Sequence, residues 1–468
     1  MKRHISILCV LLLILSLFMF GCNTATDDTA TPDTTTTDTE TSDPVTDTPQ
    51  TEPDTGDETV ELTLWASPDT DQWVFDFHEQ FMNDNPHITL NIIMKESGED
   101  AGNMFYQSVA TGDAPDLAIF SPAVMDTVAM AGLVAPLDEY FTSWDEGSYY
   151  VQALLDNFTY NGVLYALPYT GSTMMFGYNK ALFEAAGLDK PPDTWDEALE
   201  YAKILTDPDN NVSGYAILAL EWTEWFFQYY VWQAGGDLTK RNEDDTLTLT
   251  FTDPAVITAA KYYQELLTSK VAQSDLTMDF GALVQAFAQG KIAMMPFATD
   301  WVGWAMEEGA KYEDIGLAPF PAGPSGLRTS SGGVGCWGIN ATSPKEVQDA
   351  AWEYIKAYNS RESIIDYLSW RKNTQGVVNP IVLPRSDMTL SDIGVTDPNM
   401  IAAIAAVAAD IRFDEFYGKG SVGSYVDMAV QKIIAAPAAD PLPIFQEQQD
   451  LATNEALDDF NDSILNGG

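Results

Sequence analysis

Between residues 60 and 142 the chain switches three times from a short strand-like apolar run to a helical one. That alternation restricts the folds open to it more than any other feature. "VELTLWASP" sets Val60, Leu62 and Leu64 on one face of a strand and stops at Pro68. "DQWVFDFHEQFMNDNP" then spaces Val74, Phe77 and Phe81 for a helix that ends before Pro86. "HITLNIIM" with "DAGNMFYQSVATG" repeats the pair, and "PDLAIF" with "MDTVAMAGLVAPLDEYF" repeats it again. Strands alternating with helices of this length predict βαβ units on a parallel sheet, an α/β fold. Ligands of such sheets gather at the carboxyl ends of the strands, which here carry Trp65, Ser67, Phe120 and Ser121.

The chain start reads as an address. Lys2 and Arg3 precede the apolar run "ISILCVLLLILSLFMF", and Gly21 then leads into Cys22. This is the layout of a secretory signal over 1–22, and the run is shorter than the ~20 apolar residues of a membrane-spanning helix. A cysteine directly after the cleavage point resembles a bacterial lipobox, which implies lipidation of Cys22. Met19 and Phe20 depart from that pattern. Residues 23–60 are Thr, Asp, Pro and Glu without a single Lys or Arg, so they bury too little to offset ordering and are expected to form a disordered spacer.

Charge and rare residues narrow the chemistry. Seventy acids against 22 bases give a formal net charge of −48 over 468 residues, which argues against nucleic-acid binding and against a bare anionic membrane surface. The length predicts two or three units of ordinary domain size. Beyond Cys22 the only cysteine is Cys336, expected to be a small buried hydrophobe. Beyond Cys22 the only histidines are His78 and His87, too few for a His-based zinc site or a Ser-His-Asp triad. "DPDNNVSG" spaces Asp207, Asp209, Asn211 and Ser213 like the start of a calcium loop, but Val212 stands at the sixth position and Leu218 at the twelfth, so a solvated turn is expected. No cofactor is expected, and the balance leans toward binding rather than catalysis.

Further motifs resemble one family in its own order. "GDAPDLAIFSPAVMDTVAMAGLVAPLD", "LYALPYTGSTMMFGYNKALFEAAGLDKPPDTWDEALEYAKILTD", "FTDPAVITAAKYYQELL", "GALVQAFAQGKIAMMPFATDW", "GLAPFPAGP" and "GGVGCWGINATSPKEVQDAAWEYIKAYNS" are similar to segments of extracellular solute-binding proteins of ABC importers. The likeness is to the sugar-binding group that includes maltose-binding protein, and it covers roughly residues 60–435. It implies a type II periplasmic-binding-protein-like fold, with two α/β lobes, three hinge crossings and a ligand cleft between the lobes. Crossings are expected near 167–173, 294–299 and 328–337. The first lobe then spans 60–168 with 298–330, and the second 169–297 with 335–468. Gly332, Gly333 and Gly335 suit a hinge and equally suit an ordinary loop.

The resemblance also implies the site. Trp301 matches a tryptophan that in the family follows the Gly-Lys-x-Ala-Met strand and stacks on sugar, while Trp304 is expected behind it. Tyr169, Gly333 and Trp337 fall at crossings, and Tyr425 where some relatives place a late aromatic contact. In "LALEWTEWFFQYYVWQAGGD", Trp222, Glu224 and Trp225 are candidates for the cleft and Trp232 for the core; a stripe of Trp222, Trp225, Tyr229 and Trp232 on one helix would by default be packing. Arg371 could hold ligand hydroxyls or a carboxylate, or sit on the surface. The implied function is a monomeric, lipid-anchored receptor on the outer face of the cytoplasmic membrane that delivers a sugar to permease subunits. The alternatives are a glycan hydrolase using Glu221 and Glu224, or a same-fold receptor for a polyamine or iron complex.

Overall fold

The computed structural model describes residues 59–66, 70–95, 101–220, 222–376, 378–407, 410–412 and 415–466. The signal, Cys22, almost all of the acidic spacer, Ser67 and Glu221 lie outside these. The elements that position the site are β1 (Val60–Ala66), α1 (Gln72–Asp84), β2 (Ile88–Met94), α2 (Ala101–Thr111), β3 (Leu117–Phe120), α3 (Pro122–Met130) and β4 (Leu167–Asn179). After these come α4 (Thr223–Gln233), α5 (Phe280–Ala288), β5 (Met294–Ala298), α6 (Trp301–Glu307), β6 (Ile315–Ala318), β7 (Ser330–Ile339), α7 (Lys345–Tyr358), α8 (Arg361–Gln375) and α9 (Lys419–Ala435).

The three strand–helix pairs form as the alternation predicts. β1 pairs in parallel with β2, Leu62 opposite Leu90, and with β3, Leu64 opposite Leu117. These four leucines are buried because the period of two turns them to the same side. β7 then runs antiparallel to β3, with Cys336 opposite Phe120, and β4 runs antiparallel to β7. The order is β6-β4-β7-β3-β1-β2, with β5 also on β4, an α/β arrangement of the expected type II kind.

One expected helix is broken. The run after β3 ends as α3 at Met130, because Gly132 takes a left-handed φ of 70° and Pro136 follows, and helix resumes only at Asp138–Thr142. The strand after Gly290 begins at Met294 and continues through Pro296, which stands opposite Phe176; β5 has a strand neighbour only in β4, so proline's missing N–H costs no ladder bond.

Two hydrophobic cores correct the expected lobe boundaries. One core joins Leu62, Phe105, Leu117 and Phe158 to Val334, Trp337, Trp352 and Tyr354. The other joins Met174, Phe226 and Phe297 to Val302, Ala305, Leu317, Phe320, Leu368 and Val430. Residues 298–330 therefore pack in the second lobe, and 334–358 in the first, the reverse of the expectation. The chain passes between cores within β4, between Phe320 and Val334, and between Tyr358 and Ile364, and it touches the first core again at Val382, between Ile381 and Met388 of the second. No crossing occurs at 294–299, because β5 and α6 both belong to the second core.

His78 is buried in the first lobe, with Nε2 2.9 Å from the Tyr354 hydroxyl and Nδ1 without a hydrogen-bond partner. Burial lowers its pKa to about 4 from 6.5. The fold thus favours the neutral ring: the stabilisation is present above pH 6.5 and is lost as pH falls toward 4. Between pH 7.5 and 5 the wild type should lose about 2 kcal/mol of unfolding free energy through this group. His78→Leu should remove that part of the slope in urea titrations at the two pH values; equal slopes in both proteins would show that His78 does not titrate on unfolding.

Candidate ligand-binding site

The carboxyl ends of β1 and β3 lie where β4 and β7 pass between the lobes. Cys336 is opposite Phe120 and Gly333 opposite Ser172, so the stretch from Gly335 back to Ser330 runs past those ends. Gly333 is exposed in the middle of a buried strand, and a Cβ there would make only an ordinary 3.7 Å contact with Ser172 Oγ. Gly335 has none: a Cβ there would lie 2.2 Å from the Tyr169 hydroxyl, so this crossing requires glycine. Tyr169 is half-buried between Trp337 and Tyr358, and burial pushes its hydroxyl pKa up to about 12.

On the first lobe the candidates divide. Phe120, 2% exposed, packs edge-on against Phe105, and Trp337, 3% exposed, packs against Tyr354 and Tyr358. Both rings are spent on the core. Trp65 is half-buried at the end of β1, with Lys95 5.5 Å from its ring centroid and its Nε1 unpartnered. Ser121 is exposed, and as N-cap of α3 its side chain makes no capping bond, so its hydroxyl is open.

The second lobe supplies an aromatic column. Trp222 stacks on Phe280 at 5.1 Å and 20°, and Phe280 stacks on Trp301 at 5.9 Å and 18°. Phe297 abuts Trp301 edge-on and Trp304 abuts Phe280 edge-on, so Trp304 braces the column from the side. Trp222 is 50% exposed and is not part of the helix: it is the N-cap of α4 in the left-handed region, φ 47°. Trp232 is buried, and Trp225 packs edge-on against Phe226 and Tyr229, so the rest of that stripe is packing. Phe280 was not among the candidates. It is placed by Asp279, whose carboxylate caps α5 by accepting the Ala282 N–H at 2.7 Å.

An acidic residue lies close in the chain to each end ring of the column. Glu224, two residues after Trp222, is largely buried; burial raises its pKa, and Lys419 at 3.6 Å pulls it back. Lys419 also pairs with Glu415 at 3.0 Å, and Thr223 donates to Asp427. Asp300, the residue before Trp301, was also missed from sequence. It is exposed at the surface; the part of its solvation that neighbouring protein removes raises its pKa, opposed by its own backbone N–H and by Arg371. Its carboxylate does not cap α6, while its carbonyl accepts from Asn379 Nδ2 at 2.9 Å.

Arg371 links the lobes rather than standing free. Its Nε lies 3.5 Å from Asp71 at the start of α1, and the Tyr367 hydroxyl donates to the same carboxylate at 2.8 Å. Tyr425 turns away from Lys419 and Asp427 and donates to Glu455 at 3.0 Å. The Asp207 segment is a turn: its carboxylate accepts the N–H groups of Asp209 and Asn210. Among the described residues no group of three or more His, Cys, Asp or Glu is arranged for a metal, and no helix is long and apolar enough to cross a membrane.

Residues 66–364 match the family of bacterial extracellular solute-binding proteins. A protein of Brucella abortus described as a binding protein is 28% identical over 380 residues, covering 77% of this chain and 84% of its own. The maltotriose-binding protein of Pyrococcus abyssi is 27% identical over 295 residues, 62% of this chain and 60% of its own. The GacH receptor of Streptomyces glaucescens, solved unliganded and with acarbose, superposes with a TM-score of 0.68 at 20% identity, over 86% of this chain and 99% of its own.

Because Phe280 is the ring shared by both stacks, Phe280→Ala should cost about 2 kcal/mol in urea denaturation, below the range for a fully buried Phe because the ring is only half-buried. It should also shift the tryptophan emission. A variant as stable as wild type with unchanged emission would show that the column does not exist in solution.

Proposed function

The chain belongs to the bacterial extracellular solute-binding proteins, and from that premise we propose that it is the receptor of an ABC importer that closes two lobes on a carbohydrate. The observation that carries the carbohydrate is the half-exposed Trp222 at the head of the Phe280–Trp301 column, with Glu224 and Asp300 close to its end rings in the chain. Sugar rings present C–H faces that lie on aromatic rings and hydroxyls that donate to carboxylates, so a sugar site needs both kinds of group on one wall. Trp65 and Ser121 on the first lobe face the same junction of strands and are assigned to the opposite wall. A ligand touching both walls favours the closed arrangement by the contacts made only there.

No chemistry is assigned to Glu224; the reading is capture and release. The signal-like start, Cys22 and the acidic spacer support a lipid-anchored monomer held at the outer face of the cytoplasmic membrane, where it delivers its ligand to permease subunits.

Thermal shift and calorimetry with mono- and oligosaccharides, maltotriose among them, should give at least one sugar that binds. Trp222→Ala should weaken that binding at least tenfold, about 1.4 kcal/mol, with little loss of stability because the ring is half in solvent. Tight binding of an amino acid, a polyamine or a ferric chelate in place of any sugar would sink the proposal.

A further inference from the structure

We propose that the contact between the start of α1 and the middle of α8 is the pivot about which the lobes turn, keeping its hydrogen bonds while the angle between the lobes changes. The pivot rests on the two-lobe closure put forward above and not on the identity of the ligand.

Two pins hold the contact. Trp73 on α1 donates its indole N–H to Asp366 on α8 at 2.7 Å, and Tyr367 on α8 donates its hydroxyl to Asp71, the residue before α1, at 2.8 Å. Each side thus gives an aromatic donor to a carboxylate of the other, and charged acceptors make such bonds shorter and stronger than neutral ones. Bonds that run in opposite directions between neighbouring residues oppose the sliding of one helix along the other. A small turn about the contact itself changes their lengths little.

Aromatic rings fill the space between the pins. Trp73, 6% exposed, stacks on Phe77 at 5.3 Å and 21°, meets Tyr358 edge-on at 5.8 Å and lies 5.0 Å from Tyr367. Phe77 and Tyr358 pack against the first core and Tyr367 against the second, so Trp73 is buried where the two lobes meet. Tyr358 in turn lies 6.0 Å from Tyr169 of β4 and 5.1 Å from Trp337 of β7. The contact is therefore continuous with the two strands that pass between the lobes.

Its surroundings suit rotation. Ile364 and Leu368 of α8 belong to the second core, so this helix is attached to the second lobe on one face and to α1 on another. A cavity of about 590 Å³ lies between Glu146 of the first lobe and Ser360, Asp366 and Ser369, which leaves the first half of α8 room to turn. Just past α8, Asn379 accepts the Gly303 N–H at 2.8 Å and donates to the Asp300 carbonyl at 2.9 Å, and Val382 bridges to Gly171 of β4. One segment thus links the contact to the start of α6, which carries Trp301, and to the hinge strand. A contact on the axis of a rotation moves least, so this one can persist where contacts far from the axis must change.

Pulsed electron paramagnetic resonance on the ligand-free protein tests the pivot. In the full mature chain with Cys22→Ser, the remaining Cys336 is buried, and spin labels go in pairs on exposed positions: Glu79 on α1, Asn373 on α8, and Lys261 on the second-lobe helix Pro254–Thr268. Glu79→Cys with Lys261→Cys should give a broad distance distribution, and Glu79→Cys with Asn373→Cys one at most half as wide. Trp73→Phe with Tyr367→Phe keeps the rings and removes both pins; it should at least double the width for the Glu79 and Asn373 pair while circular dichroism stays unchanged. A wild-type Glu79 and Asn373 pair as broad as the pair between lobes would overturn the pivot and leave the carbohydrate reading standing. Two equally narrow distributions would show that the lobes do not turn, and would overturn the pivot together with closure. An unchanged width in the folded double variant would overturn the assignment of the pivot to these two hydrogen bonds.

Discussion

The hydrogen-bond ladder along Leu167–Asn179 is the constraint on which the rest of the molecule depends. Its first half pairs with β7 in the first lobe, from Leu167 opposite Trp337 to Thr173 opposite Gly332, and its second half pairs with β5 and β6 in the second, from Met174 onward. Where the partners change, side chains supply what the ladder drops: Thr173 N–H donates to Thr299 Oγ1 at 3.1 Å, and the Ser330 hydroxyl donates to the Met174 carbonyl at 2.8 Å. Gly171 permits this, since a Cβ there would sit 2.2 Å from the Gly333 carbonyl oxygen. A change in the angle between the lobes must therefore be absorbed within a few residues of this strand and its neighbour β7.

Away from the ladder, polar contacts across the seam are unequal in weight. Arg385 is buried, and it joins Glu146 of the first lobe at 2.6 Å to Asp387 at 2.9 Å and to the Asn359 carbonyl. The guanidinium is buried but its acids keep contact with solvent, Glu146 more than Asp387, so losing it leaves partly solvated charges and costs less than breaking a fully buried pair. The Arg371–Asp71 contact is longer and more exposed, worth about 1 kcal/mol or less as an ion pair. Beside that ion pair the Tyr367 hydroxyl donates to Asp71 at 2.8 Å and the Trp73 indole donates to Asp366 at 2.7 Å, so α1 and α8 are joined by a cluster of hydrogen bonds rather than by one weak charge pair.

How much of this could be read from the residues depended on the range of the interaction that decides each feature. The strands of the first lobe were legible, because a period of two with leucines at 62 and 64 is local information. The break at Gly132 was also locally written and was overridden by the apolar run on either side of it. The lobe boundaries were not local. Val302, Leu317 and Phe320 read as apolar wherever they go, and only the pairing of β6 with β4 assigns them to the second core. Trp222 and Trp301 were legible as candidates from a family pattern. Phe280 and Asp300 were not, since each gains its role from neighbours dozens of residues away, although Asp279 before Phe280 was a visible helix start. Phe120 and Trp337 show the opposite error: strand ends and crossings point at a junction, but the side a residue faces decides whether its ring meets solvent or core.

The outer ring of the column is held by a near balance. A tryptophan in the left-handed region costs about 1–2 kcal/mol relative to ordinary backbone, and stacking on Phe280 returns about 0.5–1.5 kcal/mol beyond its burial. Phe280 and Trp301 carry no such backbone penalty among the described positions of positive φ, and Phe297 and Trp304 brace them from the sides. The inner two rings are therefore a fixed surface, while Trp222 is the ring whose position small energies can change. A ligand that adds a second face to Trp222 acts on the one part of the wall whose conformation is not already decided by the fold, so adjustment to different ligands is concentrated there rather than spread through the cleft.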